Sequence, residues 1–591
     1  MEKRLNIETE YLFIPVCLQG QETLLEFFLS KGTTEKKLTE LMVPVCRNAE
    51  KYDYFARFPV KQFIGQTLIV RGEVSKEFLK DLLTEEKQLP TEGKLMSKEG
   101  KIMPIEGKQL STEGKPMPKK EKPLSTESTK REPSIRPSIH FTPEYGWMND
   151  PNGLVYADGL YHLYFQYNPV NTSWNNMCWG HAVSKNLLFW KEMDIVLFPD
   201  ENGMMFSGSA IQNRHEKLGL KKETLLFFYT AAGGDTKFSQ GKKFTQRIAY
   251  STDGGMTLRK MKEPFLPAIY QDNRDPKVFW HEESKAYIMC LWLRDNEFAI
   301  LRSNDLSVWE QSDTLVFLNE WECPDLIHLQ NKGCEDHEEY EKCRKTEEHW
   351  EPGEHWKTEE HEKYENHEDA WIFWSADGYY YFGQFDGYKF DRMSHQKKAE
   401  LTDVSYAAQT YSNSGNRVVS IPWLRFPNKG EKYTGVMGIP RELSFTVING
   451  EKQLVQYPVR ELEQHRQKIY DSAFTSTRYL EYSHFEAGAV WMEIVCRKGT
   501  RPVCWKQNGT DFSYDSQSGH LTVAKKEYDF LTGMEEVSVL TDGRVCEIFI
   551  GHGIITGVFE LQEKAASIYT DVRQYQSLRL YHITEEDRGN T

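Results

Sequence analysis

Between residues 138 and 460 the chain is a succession of short apolar, aromatic-rich runs separated by Gly, Asn and Asp, with helical periodicity nearly absent. GLVYADGLYHLYFQYNP (153–169), TLLFFYTAAGG (224–234), AYIMCLWL (286–293) and DAWIFWSADGYYYFGQF (369–385) are examples. Runs of this length, bounded by residues that tolerate left-handed backbone, read as strands joined by tight turns. Many evenly spaced short strands must hide their edges, and a closed all-β architecture such as a propeller does so. Aromatics make up 13% of the residues. That suits strands, which favour flat and β-branched side chains, and it equally suits a surface on which sugar rings stack.

The flanking text differs. Residues 1–83 carry the runs YLFIPV (11–16), YFARFPV (54–60) and QTLIVRGEV (66–74), which predict a small β-rich unit. Over 84–137 a seven-residue pattern repeats, as in TEGKLMS, KEGKIMP and IEGKQLS. Its recurrent Gly and Pro break helices, so a coiled coil is disfavoured and a disordered tether is expected. After 466, alternating runs such as VWMEIVCR (490–497) and HLTVAKK (520–526) predict a C-terminal β-sandwich over 466–591. The stretch 333–369 interrupts the strand pattern with Glu and with His349, His355, His361 and His367. Six-residue spacing puts no two of these His on one helix face, so a solvated surface insertion is favoured over a metal site.

The net charge of −15 argues against nucleic acid or an anionic membrane as partner. No stretch approaches 18 apolar residues, so no membrane span is expected. The ten Cys are irregularly spaced and form no CxxC pair. Near the start, Lys3 and Arg4 are followed by Asn6, Glu8 and Glu10 rather than by an apolar run. These features point to a cytoplasmic protein with free thiols. The oligomeric state is not legible.

Three acidic clusters stand out in the propeller-like region. In GWMNDPNGL (146–154), Asp150 lies between Asn149 and Pro151, and Asn152–Gly153 follow. These residue types predict a rigid turn that displays Asp150 ahead of a strand, as a nucleophile or as a backbone-capping Asx turn. In NRDPKVFW (273–280), Asp275 again precedes Pro, and Arg274 beside it is expected to hold it ionised. In WECPDLIHL (321–329), Glu322 sits between Trp321 and Cys323. Apolar neighbours raise a carboxyl pKa, as a general acid requires. Glycosidic cleavage needs two carboxyls, and a third can bind sugar hydroxyls. A propeller would gather such loops at one end of its axis.

WMNDPNG, RDPKVFW and WECPDL resemble, in order, the three signature motifs of glycoside hydrolase family 32, which includes invertases, inulinases and levanases. YHLYFQYNP (161–169), WGHAVS (179–184), MFSGSA (205–210), YAAQTY (406–411) and MGIPREL (437–443) extend the resemblance over roughly 138–591. It implies a five-bladed β-propeller followed by a β-sandwich. It also implies Asp150 as nucleophile forming a fructosyl-enzyme, Glu322 as acid/base and Asp275 as transition-state stabiliser. Asn149, Gln166, Trp174, Phe206, Ser207 and Arg274 fall on positions lining the fructose subsite, and Trp423 in IPWLRF matches a further subsite aromatic. No metal or cofactor is implied. The expected activity is release of terminal β-fructofuranosyl residues from fructans, fructooligosaccharides and sucrose. The alternatives are an endo-levanase or endo-inulinase, a fructosyltransferase, and an inactive fructan-binding protein. The chain departs from the family at Val404–Ser405, where an Asp-Phe pair is frequent, and in the first 137 residues, which many members lack.

Overall fold

The computed structural model describes residues 1–32, 34–46, 52–84, 136–329, 369–484, 488–497 and 502–585. The tether assigned to 84–137 (Thr84, Arg136 and Pro137 apart) and the insertion at 333–369 (Asp369 apart) lie outside the described residues.

Five sheets of four or five strands, antiparallel but for one pair, follow one another along the chain, as a five-bladed propeller requires. Blade I is built on Gly146–Ala157, Leu160–Asn168 and Cys178–Ser184, blade II on Met204–Gln212, Leu225–Ala232 and Thr245–Ser251, and blade III on Arg274–His281, Ala286–Arg294, Glu297–Ser303 and Glu310–Val316. Blade IV uses Asp325–Leu329, Ala370–Trp374 and Tyr379–Phe385, and blade V uses Ser405–Thr410, Val419–Leu424, Arg441–Ile448 and Glu451–Pro458. The ring closes where Tyr433–Thr434 pairs in parallel with Gly146–Trp147 of blade I.

The second strand of blade II is almost wholly apolar because both faces are covered. Every residue of LLFFYTAA (225–232) is buried. Such strands lose the alternation seen when one face meets water. Turn chemistry fixes several hairpins. Asp158 and Gly159 both have positive φ (50° and 80°), as a two-residue type I′ connection demands.

Beyond blade V, two six-stranded sheets form the β-sandwich around the core of Trp505, Phe512, Tyr514 and Ile548. The expected all-β architecture of propeller and sandwich is therefore present. The described residues among 1–84 form a four-stranded and a two-stranded sheet with a short helix, Lys76–Lys80. They pack directly on blade I: Tyr54 stacks on Tyr145 (4.7 Å between ring centres) and Phe58 on Phe198 (5.7 Å). The expectation of free thiols is corrected here. Cys17 and Cys46 are joined by a disulfide, their Cα atoms 5.6 Å apart. Each lies just past the end of a strand, and the Cys17 N–H donates to Pro44 O (3.1 Å), which brings the two ends together. Irregular spacing in the sequence gave no hint of that proximity. Cys178, Cys290, Cys323, Cys496, Cys504 and Cys546 are free.

Candidate active site

The first strand of four blades is interrupted by a bulge, and in each case a polar site residue stands at the interruption. In blade I the register slips between Met148 and Pro151 and again between Asn152 and Val155. In blade II it slips between Met205 and Gly208, in blade III between Arg274 and Lys277, and in blade V between Tyr406 and Gln409. A bulge re-aims side chains and sharpens local twist. Asp150, Ser207, Asp275 and Tyr406 are thereby turned toward one region. Blade IV contributes from the loop before its first strand, where Glu322 and Cys323 both have positive φ (57° and 42°). Asp275 is also left-handed, at 65°. Such backbone costs on the order of 1–3 kcal/mol per residue and persists only where neighbours enforce it. Here the Asp275 N–H donates to Thr230 Oγ1 (3.1 Å), and Glu322 O accepts from the Ala376 N–H (3.2 Å).

This corrects the reading of the two Asp-Pro motifs as turns. Asp150 lies inside the strand Gly146–Ala157, and Arg274–Asp275 begin the strand Arg274–His281. Proline lacks an N–H and is tolerated in a sheet at a bulge, so ladder pairing on either side overrides the local turn signal.

The three carboxyl groups converge. Cys323 Sγ lies 3.6 Å from Asp150 Oδ2 and 3.5 Å from Asp275 Oδ2, and the Cys323 N–H donates to Asp275 (3.1 Å). Burial pushes the Cys323 thiol up, which keeps it a neutral donor. Asp150 accepts from Ser207 Oγ (2.8 Å) and Asn149 Nδ2 (3.1 Å), and Asn149 is in turn held by Trp147 Nε1 (2.8 Å). Burial and then the nearby Glu322 charge raise the Asp150 carboxyl above its ordinary range, while the Ser207, Asn149 and Cys323 hydrogen bonds oppose the rise.

Glu322 accepts from Arg274 Nη2 (2.5 Å) and from the Tyr406 hydroxyl (2.7 Å). Arg274 lies over the Trp292 ring, 4.0 Å from its centre. The expected pairing of Arg274 with Asp275 is thus replaced by one with Glu322. Asp275 is not held low: burial drives it upward, more than the Arg274 charge offsets. Nor do Trp321 and Cys323 provide an apolar jacket for Glu322. Trp321 is 43% exposed and donates from Nε1 to the Tyr406 hydroxyl (3.0 Å).

The remaining expected residues form the rim and the floor. Trp174, 48% exposed, meets Phe206 edge-on at 6.0 Å. Trp423 packs edge-on against Tyr406 (6.1 Å) and Trp147 (6.0 Å). Gln166 is buried one layer behind: with the Asn152 amide oriented to satisfy both neighbours, Asn152 accepts from Gln166 Nε2 (3.0 Å) and donates to Ser207 Oγ (3.2 Å). Four further residues of the site were not singled out from sequence: Tyr406, Cys323 and the buried pair Lys277–Asp325 (2.9 Å), which bridges the first strands of blades III and IV. All lie inside the YAAQTY, WECPD and RDPK motifs, so position within a motif was the available signal. Among the described residues no group of three or more His, Cys, Asp or Glu is arranged to hold a metal ion.

A sequence profile of the glycosyl hydrolases family 32 N-terminal domain matches residues 140–458, the span that holds every residue above. The chain belongs to glycoside hydrolase family 32. This family 32 chain is 33% identical to the levanase of Bacillus subtilis over 57% of its own length and 49% of that protein. It is 32% identical to the invertase of Debaryomyces hansenii over 49% of its length and 52% of that protein. The matched segment spans about half of each of these relatives. The fold is shared with the exo-inulinase from Aspergillus awamori (TM-score 0.62, 23% identity, 76% of this chain and 98% of that one). It is also shared with a fructofuranosidase from Schwanniomyces occidentalis complexed with fructosylnystose (TM-score 0.61, 21% identity, 78% and 99%).

Proposed function

We propose that the chain is a retaining glycosidase that releases terminal β-D-fructofuranosyl residues from fructans, fructooligosaccharides and sucrose. The observation that carries this reading is the convergence of three carboxyl groups, Asp150 and Asp275 both against Cys323 and Glu322 beside them, with Asp150 and Glu322 held by different donors. Asp150, fixed by Ser207 and Asn149, attacks the anomeric carbon of the fructosyl unit. As that bond forms, the bond to the glycosidic oxygen breaks and Glu322 gives the oxygen its proton. A water then loses a proton to Glu322 and attacks the same carbon, which frees Asp150 and releases fructose with its configuration kept. Asp275, buried beside both, binds fructose hydroxyls. Tyr406 stays a hydrogen-bond donor to Glu322, because burial pushes its hydroxyl far above the phenol range. The names of the relatives, levanase, invertase and exo-inulinase, support the substrate class.

Product chromatography after separate incubation with sucrose, inulin and levan tests the reading. Fructose accumulating alone from the polymers is the expected result. Long oligofructosides as early products would replace it with an endo-acting enzyme, transfer products at high sucrose with a fructosyltransferase, and no product from any of the three with a binding protein.

A further inference from the structure

The N-terminal unit does more than pack on the outside of blade I. Its hairpin of Gln21–Lys31 and Thr34–Val45 reaches the loops beside the pocket. Met42 and Asn176 exchange two hydrogen bonds, N–H to Oδ1 (2.8 Å) and Nδ2 to O (2.9 Å), which pins the loop that carries Trp174. The buried Glu40 accepts from the Phe238 N–H (2.8 Å), and Lys37, paired with Glu40 (2.7 Å), lies 4.8 Å from the centre of the Phe238 ring.

Phe238 belongs to the blade II loop 233–244. This loop leaves Ala232, which pairs with Met204 two residues before Phe206, and it ends at Phe244, whose ring meets Phe206 edge-on at 5.5 Å. It therefore rises at the pocket rim beside Ser207. It is closed internally by the fully buried Ser239, whose Oγ accepts from the Gly234 N–H (3.1 Å) and whose N–H donates to Thr236 Oγ1 (3.1 Å). Between those anchors stands Asp235, exposed, its carboxylate accepting no hydrogen bond from any described residue. It lies within the field of Arg274, the residue that holds Glu322.

On the fructosidase reading above, the glycosidic oxygen sits at Glu322, so groups outward of Arg274 face the sugar that departs. We propose that Asp235 binds the hydroxyls of the leaving sugar, and that the N-terminal unit, through Glu40, positions the loop that presents it. An unpaired carboxylate can accept from two adjacent hydroxyls, a pattern that sucrose and fructooligosaccharides offer and an aryl leaving group lacks.

The test compares kcat/KM on sucrose with kcat/KM on 4-nitrophenyl β-fructofuranoside, in the full chain. Asp235→Ala is expected to lose roughly tenfold on sucrose, the size of one hydrogen bond to a charged group, and less than threefold on the aryl substrate. Glu40→Ala should repeat the split at a smaller size, about three- to fivefold on sucrose. Glu40→Gln keeps an oxygen for the Phe238 N–H and should restore most of the loss. Equal losses on both substrates would mean a general structural role and overturn the proposal, as would no loss on either. A wild-type chain that releases no nitrophenol would instead overturn the fructosidase reading, and this proposal with it.

Discussion

Two regions of the molecule bury several carboxyl groups around a single arginine, and they treat the charge in opposite ways. At the junction of propeller and sandwich, Glu547 and Glu400 flank the fully buried Arg441 (2.9 and 2.5 Å), and His140 bridges Glu547 (3.2 Å) and Asp542 (3.1 Å). Asp542 also accepts from the backbone N–H groups of Ser138, Ile139 and His140 (2.8, 2.8 and 3.1 Å). Burial alone would raise both acids, yet Arg441 and His140 bring Glu547 down to about 2, and His140 with the backbone donors lowers Asp542. Burial alone would lower His140, and its two carboxylates lift it to about 9. In the pocket, Asp150 and Asp275 are raised. Burial is common to both places; the number of donors aimed at each carboxylate differs. Where every oxygen has a cationic or backbone partner, a buried acid is locked in its charged form. Where acids outnumber the cation, charge stays unbalanced and available for chemistry.

The largest expected effect breaks the comparison at the pocket. Asp150→Asn should remove hydrolysis by on the order of 10⁴-fold or more, while its melting temperature stays level or rises, since a poorly compensated buried charge is gone. Initial rates on sucrose and scanning calorimetry read the two quantities; substantial residual turnover would rule out Asp150 as nucleophile. The mirror experiment is Glu547→Gln. It strips Arg441 and His140 of a shared partner and should destabilise the fold by about 3–5 kcal/mol, seen as a lower denaturant midpoint, while kcat of the folded molecules is retained. An unshifted midpoint would show that packing, not charge, holds the junction.

The smallest effect sharpens the contrast through pH. His140 has a raised folded pKa, so its stabilisation is complete below its ordinary 6.5 and fades as pH climbs toward about 9. Glu547 is depressed, so its contribution is complete above its ordinary 4.5 and fades as pH falls toward about 2. These two groups thus favour the window between roughly 4.5 and 6.5. The pocket acids run the other way: each is raised, so the folded state loses ground as pH rises past the ordinary carboxylate range. On the proposed mechanism activity needs Asp150 ionised, so its acid limb should lie above that range. Paired profiles of kcat/KM and melting temperature against pH check this; an acid limb near pH 4 would contradict the Asp150 environment described here.

The sequence made the propeller legible because its strands are short, doubly buried and punctuated by residues such as Asp158–Gly159 and Asn449–Gly450, whose positive φ a two-residue hairpin needs. The carboxylates were legible as motifs, but their local geometry was not. Asp-Pro and Asn-Gly carry the same turn signal whether the chain turns or bulges, and the choice is made by the neighbouring strand. The partner of Arg274 was misread for a similar reason: adjacency along the chain says nothing about which way a side chain points from a bulged strand. The Cys17–Cys46 bond, the Tyr406–Glu322 contact and the docking of the N-terminal unit are all long-range, and a single sequence carries no record of distance.

The pairing of Tyr433–Thr434 with Gly146–Trp147 has a consequence for the order in which the molecule comes into being. During synthesis the strand bearing Asp150 emerges early, but its second neighbour arrives only after three further blades and the first two strands of blade V have been made. The clamp on Ser138 to His140 comes later still, when Asp542 leaves the ribosome. No prefix ending before Thr434 holds both ends of the ring, so a nascent chain stalled between Glu322 and Tyr433 carries all three carboxyl groups without the closed scaffold that aligns them.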